Sequence, residues 1–322
     1  LKTAKWLASA LALALAASGA RATLSGALEG DARGSYSARD GRNVELNSVG
    51  GSLRKVFADD LGDRVTLYAQ GELADDLSDP MLHQAYAEWK GPMGRWNVAA
   101  GRVPLPWGLL TSWNPDRMPY SSPYDWTSNL ESDNGALLRG TLDIWDYGVA
   151  LTQGYGMQDP EEFPGPGNLT GRVSVTPDEA GDVTMGLSFA TGTVYPDSHG
   201  SSMGHMMMDD DEREQRTALA LDCTWNAGRG TYRVEGGTRR TDGQWHGTLF
   251  AAADYALLPK VTLQAAGQVY EHSGDHFWRR LYGGLAVPLA WFTIRGGYEY
   301  EQAEVEDHRV VLQVYRLFRF IR

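Results

Sequence analysis

Hydrophobic and polar side chains alternate residue by residue along most of the chain beyond residue 20, the period of a strand that is apolar on one face only. In Thr262–Tyr270, Leu263, Ala265, Gly267 and Val269 share one face while Thr262, Gln264, Ala266, Gln268 and Tyr270 share the other. Over 290–302 the separation is wider: Phe292, Ile294, Tyr298 and Tyr300 stand against Thr293, Arg295, Glu299 and Glu301. Read backwards from the C-terminus, similar runs at about 306–320, 290–302, 277–288, 259–271, 243–255, 229–240 and 214–226 predict strands of ten or more residues. Further runs lie near 182–192, 168–176, 146–154, 134–143, 94–102, 81–90 and 63–73. Two weaker ones, within 42–58 and near 23–33, bring the expected number to sixteen, with fourteen as the alternative. No convincing helical period appears between Arg21 and Arg322.

The connections between these runs sort by length. If the last strand descends, one side receives only short turns: 59–63, 91–94, 143–146, 177–182, 227–228, 257–260 and the Pro288-Leu289 corner. The other side receives every long connection, 103–133, 155–167 and 193–213, besides shorter ones such as 271–276. Short turns on one side and long loops on the other, with an even strand number, describe an all-β, closed antiparallel transmembrane barrel. Hydrocarbon admits a sheet only when its edges are closed, so the strands form one domain, 21–322. The polar phase then faces the lumen. It carries Arg64, Tyr68, Glu72, Glu88, Arg139, Arg172, Asp222, Arg233, Glu235, Arg239, Asp254, Arg280, Arg295, Glu299, Arg309 and Arg319. Mixed charges of this kind either set a transverse field or pair with one another across strands. Arg316 is out of phase, sharing a face with Val310, Leu312, Val314, Phe318 and Phe320, which calls for snorkelling, a bulge or a slip.

Composition narrows the compartment and the partners. Lys2 and Lys5, the apolar run from Trp6 to Ala17 and the small residues Ser18-Gly19-Ala20 have the order of a secretory leader, so 1–20 is expected to be removed on export. No other apolar run approaches the roughly twenty residues of a spanning helix. Without the two leader lysines the formal charge moves from −12 to −14, against a nucleic-acid partner. The 38 glycines, 11 tryptophans and 15 tyrosines suit strands with aromatic girdles. Cys223 is alone and sits in an alternating run, where it reads as a small apolar side chain.

One stretch carries recognisable words. Ala85-Tyr86-Ala87-Glu88-Trp89 is followed by Trp96-Asn97-Val98-Ala99-Ala100-Gly101-Arg102-Val103-Pro104-Leu105-Pro106-Trp107-Gly108, then by Asn114-Pro115-Asp116 and Ser122-Pro123-Tyr124-Asp125. An aromatic strand, a Gly-Arg strand end, a Pro-Trp-Gly corner and a proline-rich loop resemble the porin-like outer-membrane proteins of Gram-negative bacteria. The resemblance in words spans roughly 85–125 and that of the barrel pattern spans 21–322. It implies that loop 103–133 folds inward as a constriction, with Arg102, Asp116, Arg117 and Asp125 near the narrow point. The alternative is an outward cap. Proteins of this kind commonly end on an aromatic residue, whereas here Phe320 is followed by Ile321 and Arg322.

Candidate chemistry is sparse. The His199–Glu212 run contains His199, His205, Met206 and Asp209, donor types suited to soft or borderline metals, although exposed loops carry such residues without binding metal. Ser188 and His246 are luminal-phase residues without an evident third member of a catalytic triad. The expectation is therefore a non-enzymatic outer-membrane channel for small polar or charged solutes, without a cofactor. A sheath around an electron-transfer partner and a surface-binding barrel are the alternatives. Expected partners are outer-membrane lipid and small solutes, with a second copy of the chain or another periplasmic or outer-membrane protein left open.

Overall fold

The computed structural model describes residues 21–321 except 38, 40, 61, 75–76, 78, 114–117, 121–130, 157–166, 179, 196–213, 242, 273–275 and 304. The expected leader at 1–20 lies outside the described residues. Sixteen strands follow one another: β1 Arg21–Ser37, β2 Gly41–Asp59, β3 Gly62–Ala74, β4 Asp79–Lys90, β5 Asn97–Pro104, β6 Ser132–Leu142, β7 Trp145–Thr152 and β8 Asn168–Val175. They continue with β9 Val183–Val194, β10 Glu214–Ala227, β11 Gly230–Thr241, β12 Gln244–Leu258, β13 Val261–His272, β14 His276–Pro288, β15 Thr293–Gln302 and β16 Glu306–Ile321. Each pairs antiparallel with its chain neighbours, and β1 pairs with β16 to close the barrel. The long connections 105–131, 153–167 and 195–213 all leave the same end, as their lengths predicted.

The two strands that read weakly in the sequence are the longest. β1 has 17 residues and β2 has 19. The alternation of β2 is obscured because its register shifts opposite Asp31 and Arg33 of β1, so β2 changes face midway. A second shift, opposite Gln70 and Gly71, places His83 at a bulge in β4.

Alternation sets lipid against lumen. In β10, Leu219 and Leu221 are exposed while Ala218, Ala220 and Asp222 are buried. Trp245, Phe277 and Tyr298 form part of an outer aromatic girdle toward the long loops; Trp225, Tyr255 and Trp291 stand on the outer face toward the short turns. Trp245 and Tyr255 lie ten residues apart on β12. At about 3.3 Å per residue and a tilt of about 40° they are separated by about 25 Å along the barrel axis, the height of a bilayer-facing band.

Arg316 needs no slip, since β16 keeps its register with both neighbours. Its guanidinium lies over the Trp291 ring, 5.2 Å from the centroid, and donates Nη1 to the Trp291 carbonyl. The stem crosses the apolar face while the charge reaches the short-turn end, which is snorkelling.

One short turn is held by a carboxylate. Asp178 accepts the backbone N–H groups of Asp182 at 2.7 Å and Val183 at 3.1 Å. These bonds, the Asp182 amide foremost, hold its carboxyl below the ordinary aspartate range. A lowered folded pKa means that this contribution is present above the unfolded pKa and disappears as pH falls through the folded one. Protection of the Asp182 and Val183 amides, taken relative to intrinsic exchange at each pH, is therefore expected to fall as acidification protonates Asp178, and Asp178→Ala should abolish that pH dependence.

Candidate functional site: the inward loop and the cavity beside it

The described part of the 105–131 connection enters the lumen. It begins with Leu105, whose N–H bonds to the Glu131 carbonyl at 2.9 Å and closes the base of the loop. Gly108–Thr111 forms a short 3-10 turn preceded by Trp107, which supplies no side-chain cap. The barrel wall caps it instead: Gly108 N–H donates to Ser188 Oγ of β9, and Leu109 N–H to Glu235 Oε2 of β11, each at 2.9 Å. A carboxylate is a strong acceptor for backbone amides exposed at such an end.

Small residues make room for this segment. Ala99 of β5, Ala150 of β7, Ala190 of β9 and Ala218 and Ala220 of β10 pack in one buried cluster with Leu105 and Trp107. Further along, Leu109, Trp113 and Tyr120 join Phe250 and Ala252 of β12 and Tyr282 of β14. Trp113 stacks on Phe250 at 5.4 Å between centroids, and Tyr120 meets Tyr282 at 4.8 Å. On Trp113 lies the Arg233 guanidinium, 5.2 Å from the ring, itself bonded to Asp254 at 2.7 Å. Burying each large apolar side chain contributes about 1.5–3 kcal/mol, so several together fix the loop against β9–β14.

A cavity of about 1160 Å³ remains beside the loop. The loop contributes Leu105, Pro106, Leu110 and Trp113; the strands contribute Arg54, Tyr68, Tyr86, Glu88 and Arg139, with Tyr86 also packing against the Leu105–Trp107 cluster. Of the charged candidates, Arg64, Glu88, Arg139 and Arg172 line this cavity, whereas Glu72, Arg102, Arg233, Glu235, Arg239, Arg280, Arg295, Glu299 and Arg309 do not. Most of the candidates are paired. Arg64 meets Asp59 at 2.7 Å, Arg139 donates Nε to Glu88 at 2.7 Å, and Arg172 meets Asp222 at 2.6 Å. Glu72 lies 3.0 Å from His83. Arg280 and Arg309 share Glu299 and Glu301 across β14–β16, Arg309 also holding Asp307 at 2.5 Å. Arg295 donates to Gln313 at 2.8 Å, and Arg239 donates to the Tyr270 hydroxyl at 3.3 Å.

Arg102 is placed differently from the rest. It is buried and donates Nη2 to the Gly156 carbonyl at 2.9 Å, tying the end of β5 to the 153–167 loop. Asp116, Arg117 and Asp125 lie outside the described residues, as do His199, His205, Met206 and Asp209. Ser188 is engaged with the loop backbone and His246 stacks with Tyr270 at 6.2 Å, so the two serve different neighbours.

Sequence reasoning passed over the luminal alanines, the Trp113–Phe250 stack and Arg54. A signal existed for the first two: alanines and an aromatic occupying the polar phase of otherwise charged strands mark a wall that faces protein instead of water. Arg54 was missed because the phase of β2 is broken by its bulge.

No family model and no curated protein matches the chain. Solved structures do. OmpT, an outer-membrane protein of Vibrio cholerae, is 12% identical with a TM-score of 0.70, over 94% of this chain and 99% of that one. The anion-selective porin from Comamonas acidovorans is 12% identical with a TM-score of 0.69, over 92% of this chain and 100% of its own. Salmonella typhi OmpF, in complex with daunomycin, is 12% identical with a TM-score of 0.62, over 93% and 98% respectively. With its closed antiparallel sheet and lipid-facing apolar band, the chain has the sixteen-strand fold of the outer-membrane porins.

Proposed function

We propose that the chain is a water-filled outer-membrane channel through which small polar or charged solutes diffuse, with the 105–131 loop narrowing the passage. The observation that carries this reading is the loop fastened to β9–β14 beside a charged cavity of about 1160 Å³. A barrel wide enough for sixteen strands holds an aqueous lumen unless protein fills it, and here one flank is filled while the other stays wet. The solved structures of the same fold include the anion-selective porin from Comamonas acidovorans, which supports a channel without naming the solute. A sheath around a partner would require an unobstructed lumen, and the loop occupies that space. Because most of the luminal charges named above are paired, we expect weak charge selectivity.

Planar-bilayer recording of the purified protein tests the proposal. Ohmic steps of hundreds of picosiemens in molar salt, about the scale of an aqueous pore, are the expected result. Silence of a correctly folded barrel would remove the channel reading and leave a surface-binding barrel.

A further inference from the structure

We infer that the cavity beside the loop is a binding site for a ring-shaped organic anion, with its carboxylate on Arg54 and its ring against Tyr68 and Tyr86; this rests on the channel reading. Three neighbouring strands build the site in one row. Arg54 of β2 pairs with Tyr68 of β3, which pairs with Tyr86 of β4. The two tyrosine rings lie 5.3 Å apart and tilted by 34°, and Arg139 steadies Tyr86 from 6.0 Å. The rows on either side are polar: Gln70 opposite Gln84, and Thr66 opposite Glu88.

Charge singles out Arg54. The other cations lining the cavity each have an acid: Arg64 with Asp59, Lys90 with Asp63 at 3.2 Å, Arg139 with Glu88 and Arg172 with Asp222. Arg54 is exposed to the cavity and, among the described residues, has no hydrogen-bonding or ionic partner. Its planar fork matches a carboxylate in two-point geometry, and a partly enclosed aqueous site strengthens that attraction. Tyrosine faces accept the apolar face of a sugar or an aromatic ring, while the amides beside them suit hydroxyl groups. The volume exceeds that of a single such molecule, so the solute would share the site with water and leave readily, as passage requires.

The test uses the full barrel in planar bilayers with four solutes: galacturonate and benzoate as ring acids, acetate as an acid without a ring, and galactose as a ring without charge. Both ring acids are expected to reduce the open-channel current at concentrations about tenfold below those needed for acetate or galactose. Arg54→Gln should raise the blocking concentration of the ring acids about tenfold, Arg54→Lys, which keeps the charge without the two-point geometry, should recover only part of the block, and Tyr68→Leu should erase the advantage of the ring. The stronger of galacturonate and benzoate identifies a sugar or an aromatic ring as the preferred body. Equal block by acetate, or block unchanged in Arg54→Gln, overturns the inference while leaving the channel intact. Absence of any conductance in the parent protein overturns the channel reading itself.

Discussion

Gly108→Ala is expected to detach the inward loop from the barrel wall. Gly108 has φ +43°, and a Cβ added there would clash with Glu235 Oε2. The carboxylate is the free end of a flexible side chain and could swing away, but it would then release the Leu109 amide that it accepts at 2.9 Å. Alanine therefore meets a left-handed backbone, costing about 1–2 kcal/mol, and the loss of a charge-assisted hydrogen bond worth about 1.5–3 kcal/mol. Together these correspond to roughly a hundredfold or more in the local opening equilibrium. Hydrogen–deuterium exchange of the 105–113 segment should rise by about that factor, with noisier open-channel current, while the barrel strands remain protected. Gly283→Ala, on the outer face of β14 where an added Cβ meets nothing within 4 Å, is the silent control. Unchanged exchange in Gly108→Ala would show that the wall does not hold the loop in this way.

Trp113→Ala should free the far end of the same loop. Trp113 is 8% exposed, stacked on Phe250 and covered by Arg233, so its removal opens a cavity between β11 and β12. Truncating a buried tryptophan costs about 3–5 kcal/mol, here borne by the docking of the loop and not by the sheet, whose hydrogen-bond ladder is untouched. Exchange is expected to increase around 109–113, and single-channel conductance to shift as the passage loses its fixed flank. Trp113→Phe, which keeps a ring on Phe250, should recover most of the protection. Equal conductance and equal exchange in Trp113→Ala would mean that the loop is held elsewhere. Gly108 and Trp113 act at opposite ends of one docked segment, so the double variant should lose less than the sum of the two.

The strand number, the closure and the sidedness of the loops were legible in the chain because a lipid-facing wall enforces a period of two on every strand, and turn lengths record which end they cap. That period located β3–β16 to within a few residues, put Arg139, Glu88, Arg172 and Glu235 on the inner face, and made Arg316 conspicuous. It weakened in β1 and β2; in β2 a bulge changes the phase and hides Arg54.

The sequence could not show which inner residues meet each other. Whether Glu88 pairs with Arg139 or lies bare depends on register across β4–β6, and Glu235 becomes a loop cap only when residue 109 arrives from 126 positions away. Alternation is a local property of one strand and is set by the solvents on its two sides. The path of the described loop residues, the filled and open flanks of the lumen, and the placing of Arg54 beside Tyr68 and Tyr86 arise from contacts between distant segments, so only the closed barrel decides them.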